Sequence, residues 1–327
     1  MSKYSNICFY GGGAWGQALS ITLASLGHKS KLIVSDQTRA NEINSGISRR
    51  FSQIKLSPLI TSSVNAKEVI KESNLVFITT ESKRVMSVIE QINLLNNKEI
   101  NIVITSKGFA NKHGETFNEI IQNQFPTLTT GILTGPTFAD EIANNFPAAA
   151  ILASNHINFA NSICNLFKNS CLRLYQSNDP LGASIAGAVK NIIAIGAGII
   201  EGLNLGDNAK AALITRGISE TSRLIKSSGG NYETAFGLAG IGDMSLTCSG
   251  PHSRNMAYGM HLVTKTNKNK TLDLVEGVNA VEATLVLAKK FNIELPIVNA
   301  INEILNKEGN IKEIIHKLLS RPIKNEF

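Results

Sequence analysis

Residues 7–16, with the sequence ICFYGGGAWG, decide the fold of the first half of this chain. The first four of them, Ile7–Tyr10, are apolar or aromatic and are typical of a short buried strand. Glycines follow at Gly11, Gly13 and Gly16 in a G-x-G-x-x-G pattern, and a helical pattern begins at the last of them. Such glycines let a pyrophosphate approach the N-terminus of the helix closely. The stretch therefore predicts a strand–turn–helix unit that binds a dinucleotide, with a glycine-rich turn that holds no ligand as the alternative.

Further short apolar runs alternate with helical segments along the first half of the chain. These runs are Leu32–Val34, Leu75–Ile78, Ile102–Thr105, Gly131–Thr134, Ala149–Ala153 and Leu172–Tyr175. Buried strands that alternate with helices indicate a mostly parallel sheet with both faces covered. After about Asn178 the strand-like runs largely stop, and helical patterns continue at 209–226, 276–291 and 297–307. The sequence thus predicts an α/β doubly wound, Rossmann-type domain at 1–178 and an all-α C-terminal domain at 179–327.

A lysine lies near the middle of the most apolar stretch, LGASIAGAVKNIIAIGAGII, which covers Leu181–Ile200. Asp179 and Pro180 are typical of the N-cap and the first residue of a helix. A helix this apolar is buried around most of its circumference, so the ammonium of Lys190 needs an anionic partner or loses its proton. A membrane span fits the length, but the central pair of Lys190 and Asn191 disfavours it. Alone, this lysine is most typical of a structural salt bridge, whereas the other motifs favour proton transfer.

Composition and cysteine usage favour an ordinary soluble protein of a reducing compartment. The formal net charge of +7 is compatible with anionic ligands, but the basic residues are scattered among acidic ones, which disfavours nucleic-acid binding. The four cysteines form no C-x-x-C pair, and the six histidines never fall at metal-ligand spacing, so we expect neither disulfides nor a metal site. The first residues pass directly into a strand, and we expect no secretory signal.

Two loop motifs and one helix start carry candidate ligand-binding groups. Lys107, in TSKG, and Gly135–Ala139, GPTFA, each follow a predicted strand, where loops line the ligand crevice of a doubly wound sheet. At Ser253, Arg254 and Asn255 a helix start combines backbone N–H groups with a guanidinium, which suits a phosphate dianion. Taken singly, these motifs are also typical of an exposed lysine, a simple turn and a capped helix.

The choice between NAD and NADP stays open at this level. Asp36 lies at the distance from the glycines where an acidic residue commonly bonds the adenosine ribose. Ser35 and Arg39 lie close by and would suit a 2′-phosphate instead.

Taken together, these motifs are recognisable. GGGAWGQAL, SKGF, GPTFADEI, GAVKNIIAIGAG, NAKAALITRG, GLAGIGDMSLTC, SRN and VEG occur in this order between Ile7 and about Leu319. The chain closely resembles the soluble NAD(P)-dependent glycerol-3-phosphate dehydrogenases in their bacterial form. The resemblance implies reversible hydride transfer between NAD(P)H and dihydroxyacetone phosphate, giving sn-glycerol 3-phosphate for phospholipid synthesis in the cytoplasm. It also implies a helical domain that closes over the Rossmann domain; the oligomeric state stays open, with a homodimer as one alternative.

The resemblance also implies roles for individual residues. Lys190 is the general acid/base, which gives a proton to the ketone oxygen and takes it back in oxidation, with Lys107 and Asp243 as catalytic partners. The implied substrate-binding residues are Lys107, Gly135, Thr137, Lys190, Asn191, Asp243, Thr247, Ser253, Arg254 and Asn255. The implied cofactor-binding residues are Gly11, Gly13, Ala14, Trp15, Gly16, Ser35, Lys107, Ala139, Arg254, Leu274 and Glu276.

Two departures from the family pattern bear on the cofactor. The family often has a basic residue or histidine at the position of Ser35, and an apolar-Pro-Ser turn where this chain has Thr79-Thr80-Glu81-Ser82.

Two other functions compete with the dehydrogenase. A related Rossmann 3-hydroxyacid-type dehydrogenase would need a carboxylate receptor, whereas Ser253, Arg254 and Asn255 suit phosphate better. A non-catalytic redox sensor would not need two lysines and an aspartate together.

Overall fold

The computed structural model describes residues 4–95, 100–250, 253–264, 275–306 and 310–322. Within these ranges the chain forms two compact units. Unit 1 comprises Met1–Ala110 and Thr116–Ser184, and unit 2 comprises Asn111–Glu115 and Ile185–Phe327. The short segment 111–115 therefore belongs with the second unit although the first unit surrounds it in sequence.

Unit 1 is built on an eight-stranded sheet. The strands are β1 (Ile7–Tyr10), β2 (Ser30–Ile33), β3 (Ile60–Ser63), β4 (Leu75–Ile78), β5 (Asn101–Ile104), β6 (Thr129–Thr134), β7 (Ala148–Ala153) and β8 (Leu172–Ser177). Their order in the sheet is β3-β2-β1-β4-β5-β6-β7-β8. Neighbouring strands are parallel except for β6 and β7, which are antiparallel. Strands β2 and β3 lie on one side of β1, whereas β4 and the later strands lie on the other, so the strand order reverses next to β1. A doubly wound sheet binds its ligand at such a reversal.

Helices cover both faces of this sheet. They are α1 (Ala14–Ser25), α2 (Gln37–Asn44), α3 (Ala66–Glu72), α4 (Val85–Leu95), α5 (Phe117–Gln124), α6 (Ala139–Ala143) and α7 (Ile157–Leu166). Alternate residues of each strand face opposite layers, so Phe9 and Phe77 stack at 4.9 Å in one core while Cys8 lies in the other. Burial raises the pKa of the Cys8 thiol to about 12, which keeps it a neutral packing group.

The predicted doubly wound architecture is confirmed, and one strand was not predicted. All seven apolar runs form strands whose ends lie within two residues of the expected bounds. Strand β3 has the sequence ITSS, whose three hydroxyl side chains hide it from a search for apolar runs. It lies at the edge of the sheet, where only one neighbouring strand covers it and polar residues are tolerated.

The turn between β1 and α1, which we call the glycine turn (Gly11–Gly16), is fixed by close backbone contacts. Gly11 has φ +121°, a conformation that favours glycine, and its N–H donates to the Ile33 carbonyl at 3.2 Å. A Cβ on Gly16 would collide with the Gly11 carbonyl oxygen and would lie 2.8 Å from Thr79 Oγ1. By contrast, a Cβ on Gly13 would meet no atom within 4 Å. The three glycines therefore serve different purposes, since two of them form the turn and Gly13 leaves open space beside it.

Every described secondary-structure element of unit 2 is helical. The helices are α8 (Pro180–Gly202), α9 (Asp207–Ser227), α10 (Asp243–Cys248), α11 (Arg254–Thr264), α12 (Glu276–Lys290), α13 (Pro296–Leu305) and α14 (Ile311–Leu319), and α8 begins in unit 1. As predicted, Asp179 caps α8, because its Oδ1 accepts the Gly182 N–H at 2.8 Å. Among the described helices, α8 alone has the length and hydropathy of a membrane span, but 94% of its most apolar window is buried. It is the core helix of a folded unit.

A buried carboxyl group anchors α13. Glu220, on α9, accepts hydrogen bonds from the N–H groups of Ile297 at 2.7 Å and Val298 at 3.3 Å. These N–H groups belong to the first turn of α13, which helix geometry leaves without partners inside the helix. Burial raises the pKa of Glu220 to about 7, against the opposing effect of the two hydrogen bonds.

We expect substitutions in the glycine turn to separate folding from cofactor binding. Gly16→Ala should lower the free energy of unfolding by about 1–3 kcal/mol, because its Cβ collides with backbone that cannot move freely. Gly13→Ala should change it by less than about 0.5 kcal/mol, but should weaken NADH and NADPH binding because its methyl group fills the space beside the helix start. Denaturant unfolding and fluorescence titration with each cofactor measure the two effects. Equal losses of stability in both variants would contradict this assignment.

The anchor at Glu220 predicts a pH dependence of stability. Its folded pKa of about 7 lies above the ordinary value of 4.5, so its contribution to stability is complete below about pH 4.5 and is lost as the pH rises through 7. Relative to Glu220→Gln, the wild type should therefore lose stability between pH 5 and 8, by at most about 3 kcal/mol. Urea unfolding of both proteins across this range measures the difference. Glu282→Gln, at an exposed site on α12, is the control, and a pH-independent difference for Glu220→Gln would contradict the prediction.

Candidate active site

A guanidinium group lies against the glycine turn in unit 1. Arg39 donates from Nη2 to the Gly12 carbonyl at 2.5 Å. Asp36 caps α2 by accepting the Arg39 N–H at 2.8 Å, and its second oxygen accepts the Ser35 hydroxyl at 3.3 Å. The one acidic residue at the expected ribose position is thus already engaged locally, and a basic group stands beside it.

The residues present at this turn fit a dinucleotide. The 12-residue helix α1 begins directly after Gly13, whose missing side chain leaves the approach to the helix N-terminus open. The first N–H groups of a helix have no partners inside it and carry partial positive charge, which suits a pyrophosphate. Ala14, Trp15 and Ala139 are partly buried and pack on the same hydrophobic core. They bring α6 to the side of the turn, consistent with the cofactor positions expected for them.

Lys107 and the GPTFA motif come together at the end of the sheet where β5 and β6 end. Lys107 Nζ donates to the Gly135 carbonyl at 3.2 Å, and the Thr137 hydroxyl donates to the same oxygen at 3.2 Å. A Cβ on Gly135 would lie 2.8 Å from Ala150 Cα, so this turn packs directly on β7. The half-buried lysine is therefore held in place by backbone, which differs from the mobile exposed lysine that its motif alone would predict.

In unit 2, the ammonium of Lys190 is buried and paired. Its Nζ lies 2.8 Å from Asp243 Oδ1 and donates to the Thr247 hydroxyl at 2.9 Å. Thr247 in turn donates to the Asp243 carbonyl at 2.6 Å, which orients its lone pairs toward the lysine. Lys190 is 5% exposed and Asp243 is 1% exposed. The anionic partner that the apolar helix requires is therefore present within the same unit.

An irregular turn delivers Asp243 to this position. Leu238–Gly242 forms one π-helical turn that leads directly into α10, whose first residue is Asp243. A Cβ on Gly240 would collide with the Ala235 carbonyl oxygen, so only glycine permits this close approach. Wide turns of this kind re-aim the residues that follow and are frequent at functional sites. Nearby, burial raises the pKa of the Cys248 thiol to about 12, so this cysteine stays protonated and is no nucleophile.

The Ser-Arg-Asn motif forms the start of α11, and its three side chains have different surroundings. Ser253 Oγ caps the helix by accepting the Met256 N–H at 3.3 Å, while Arg254 is exposed. Asn255 is buried, and its side chain bonds to Asn191 at 2.9 Å. The motif therefore presents a guanidinium and a capped helix start, whereas the amide is directed into the unit.

Most of the predicted site residues fall into two groups, one in each unit. Unit 1 brings the glycine turn together with Ser35 and Arg39, and Lys107 together with Gly135 and Thr137. Unit 2 contains the remaining polar residues, namely Lys190, Asn191, Asp243, Thr247, Ser253, Arg254, Asn255 and Glu276. Leu274 lies outside the described residues. The bonds between Asn191 and Asn255, and between Asn191 and Glu276 at 3.3 Å, were not expected from the sequence. Each of these two asparagines directly follows a predicted functional residue, and this repeated pattern is the signal that could have suggested their contact.

Comparisons with known proteins agree over nearly the whole chain. The family model of the NAD-dependent glycerol-3-phosphate dehydrogenase N-terminus matches residues 6–160, and the model of the C-terminus of that family matches residues 179–316. A glycerol-3-phosphate dehydrogenase [NAD(P)+] from an Exiguobacterium species is 36% identical, covering 99% of this chain and 97% of the relative. One from Francisella tularensis is also 36% identical, covering 98% of this chain and 99% of the relative.

A solved structure extends this agreement to the fold. The crystal structure of glycerol-3-phosphate dehydrogenase from Coxiella burnetii superposes with a TM-score of 0.89 at 31% identity, covering 96% of this chain and 98% of that one. Both family models, the full-length relatives and this structure point the same way, and the chain therefore belongs to the NAD-dependent glycerol-3-phosphate dehydrogenase family.

Proposed function

We propose that this protein catalyses reversible hydride transfer between NAD(P)H and carbon 2 of dihydroxyacetone phosphate, which gives sn-glycerol 3-phosphate. The observation that carries the proposal is the buried Lys190–Asp243 pair, in a chain whose full-length relatives are named for this reaction. An ammonium placed in an apolar helix and hydrogen-bonded on two sides is a suitable donor of one proton to a ketone oxygen.

In the reduction, Lys190 donates a proton to the substrate oxygen, and in the oxidation it takes that proton back. Asp243 keeps Nζ aimed and offsets its charge, and Thr247 fixes a second N–H direction. Lys107 supplies a second positive charge for the developing alkoxide. The nicotinamide, when bound, supplies or accepts the hydride. Among these side chains, only Lys190 gains or loses a proton in the proposed reaction.

The substrate and cofactor contacts are proposed from the family pattern and from the chemistry of each group. Arg254 offers a guanidinium and the start of α11 offers N–H groups, which together suit the substrate phosphate. Further substrate contacts are proposed at Gly135, Thr137, Asn191, Ser253 and Asn255. Cofactor contacts are proposed at the glycine turn and at Ser35, Lys107, Ala139, Arg254, Leu274 and Glu276. The product would supply the glycerol phosphate backbone of phospholipids, and we propose a cytoplasmic enzyme with functional domains at 1–178 and 179–327.

The experiment that tests the function follows loss of reduced-nicotinamide absorbance with dihydroxyacetone phosphate, in parallel with NADPH and NADH. We expect oxidation of at least one cofactor. The ratio of kcat/KM with NADPH to kcat/KM with NADH then measures the cofactor preference that Ser35, Asp36 and Arg39 set together. Failure to oxidise either cofactor, by a folded protein that binds it, would remove the proposed function.

Replacement of the proposed acid/base provides a second test. Lys190→Ala should lower kcat by at least about 100-fold, because general acid–base catalysis typically contributes this much. Its affinity for NADPH and NADH should stay close to that of the wild type, because the glycine turn is unchanged. Lys289→Ala, at an exposed site on the last turn of α12, is the matched control and should retain full activity. Loss of cofactor binding with turnover retained would contradict the assigned role.

A further inference from the structure

Two buried amides connect three helices of unit 2, and we call the pair of Asn191 and Asn255 the amide bridge. Asn255 Nδ2 donates to Asn191 Oδ1 at 2.9 Å, and both residues are at most 7% exposed. Asn255 Oδ1 accepts the N–H of Gly277, in the first turn of α12, at 2.9 Å. Asn191 Nδ2 donates to the Gly187 carbonyl and to Glu276 Oε2, each at 3.3 Å. The bridge therefore joins α8, α11 and α12.

The direction of every bond in the amide bridge is forced from its ends. A backbone N–H can only donate, so Gly277 must face the oxygen of Asn255. A backbone carbonyl and a carboxylate can only accept, so Gly187 and Glu276 must face the nitrogen of Asn191. Neither amide can rotate by 180° without placing like groups against each other. Buried, fully bonded networks of this kind hold one arrangement of the surrounding backbone.

Backbone contacts beside the amide bridge hold α11 firmly on α8. A Cβ on Gly198 would collide with the Met256 carbonyl oxygen, and a Cβ on Gly259 would collide with the Ile195 carbonyl oxygen. The two helices thus touch backbone to backbone one to two turns beyond the amide bridge. Relative movement of α8 and α11 is restricted at both places.

Each member of the amide bridge is the next residue in the chain after a proposed functional group, the proton donor in one case and the phosphate receptor in the other. Asn191 directly follows Lys190, and Asn255 directly follows Arg254. We propose that Asn191 and Asn255 are positioning residues, whose side chains fix the distance between the proton donor and the phosphate receptor in place of the side-chain contacts with substrate that the family pattern implies at these two positions. This inference rests on the proposed function. It assigns phosphate recognition at the start of α11 to Arg254 and the backbone N–H groups, because the buried Asn255 amide already bonds within the protein through its oxygen and through one of its two N–H groups.

The two roles predict different responses to a substrate that lacks its phosphate. A positioning residue affects Lys190 and therefore both substrates, whereas a phosphate ligand affects only the phosphorylated one. The test compares kcat/KM for dihydroxyacetone phosphate and for dihydroxyacetone, at high enzyme concentration for the second. Asn255→Ala and Asn191→Ala should each lower both values by the same factor, about 10- to 100-fold. The ratio of kcat/KM for dihydroxyacetone phosphate to kcat/KM for dihydroxyacetone should therefore stay at the wild-type value. Arg254→Ala should instead lower this ratio by about 100-fold.

A double variant tests whether the two amides act as one unit. Asn191→Ala combined with Asn255→Ala should lower kcat/KM hardly more than either change alone, because the first substitution already breaks the bridge. Asn118→Ala removes a hydrogen-bonded amide of similar burial in unit 1 and should leave the activity of the folded protein unchanged. Melting curves and NADPH titration of every variant restrict the comparison to folded protein.

Two outcomes would overturn the inference. A fall in the ratio for Asn255→Ala as large as that for Arg254→Ala would make the amide a phosphate ligand. Unchanged activity of both single variants would make the amide bridge irrelevant to catalysis. Since the wild type is assayed first, failure of the proposed function would appear as absent turnover before any variant is compared.

Discussion

The structure of unit 2 depends on one constraint, which is the burial of the Lys190 ammonium in an apolar helix. Removing an unpaired ammonium from water has an effective penalty of several kcal/mol, so the fold must bring an anion to it. Asp243 meets this need at 2.8 Å, and Thr247 satisfies a second N–H direction. Asp243 reaches this place only because the π-helical turn before α10 turns the backbone, and that turn requires glycine at position 240. The partner of the buried charge is thus supplied by an irregular segment, from a residue 53 positions later in the chain.

The small residues of α8 have a related effect on packing. Gly198 on α8 and Gly259 on α11 have no side chains, so the two helices pack with their backbones in contact at these positions. Such contacts leave little freedom for one helix to slide on the other, since interiors at this density resist displacement. The polar side chains carried by α8 and α11 consequently have fixed relative positions before any ligand arrives. Preorganisation of this kind is what catalysis by positioned charges requires.

Much of the fold could be predicted from the sequence, because buried central strands and core helices need recognisable runs of apolar residues. The apolar runs at β1, β2 and β4 to β8, and the apolar helix around Lys190, are visible for this reason. Strand β3 was missed because an edge strand needs less apolar surface. The partner of Lys190 could not be predicted from spacing. Residues 190 and 243 meet through tertiary packing, and only the resemblance to a family placed them together.

The cofactor side shows the same limit of local patterns. Asp36 stands where an acidic residue often bonds the ribose, and that was the role considered from the sequence, although aspartate is also a common N-cap. In the structure it caps α2, while Arg39 from the same turn of helix reaches the Gly12 carbonyl. A single residue can satisfy two local rules at once, so the sequence pattern alone does not separate them.

The buried pair of Lys190 and Asp243 is hard to explain by stability. Buried pairs add little net stability, and well-packed apolar residues of similar volume often replace them at no loss or with a gain. A helix as apolar as α8 could accommodate such a replacement at position 190 if position 243 changed with it. Stability alone therefore gives no reason for a lysine and an aspartate at the centre of unit 2. The proposed proton transfer does, because it needs an amine that is desolvated, aimed and neutralised by a carboxylate held at hydrogen-bonding distance. The feature that is hardest to explain as structure is thus the one that chemistry explains directly.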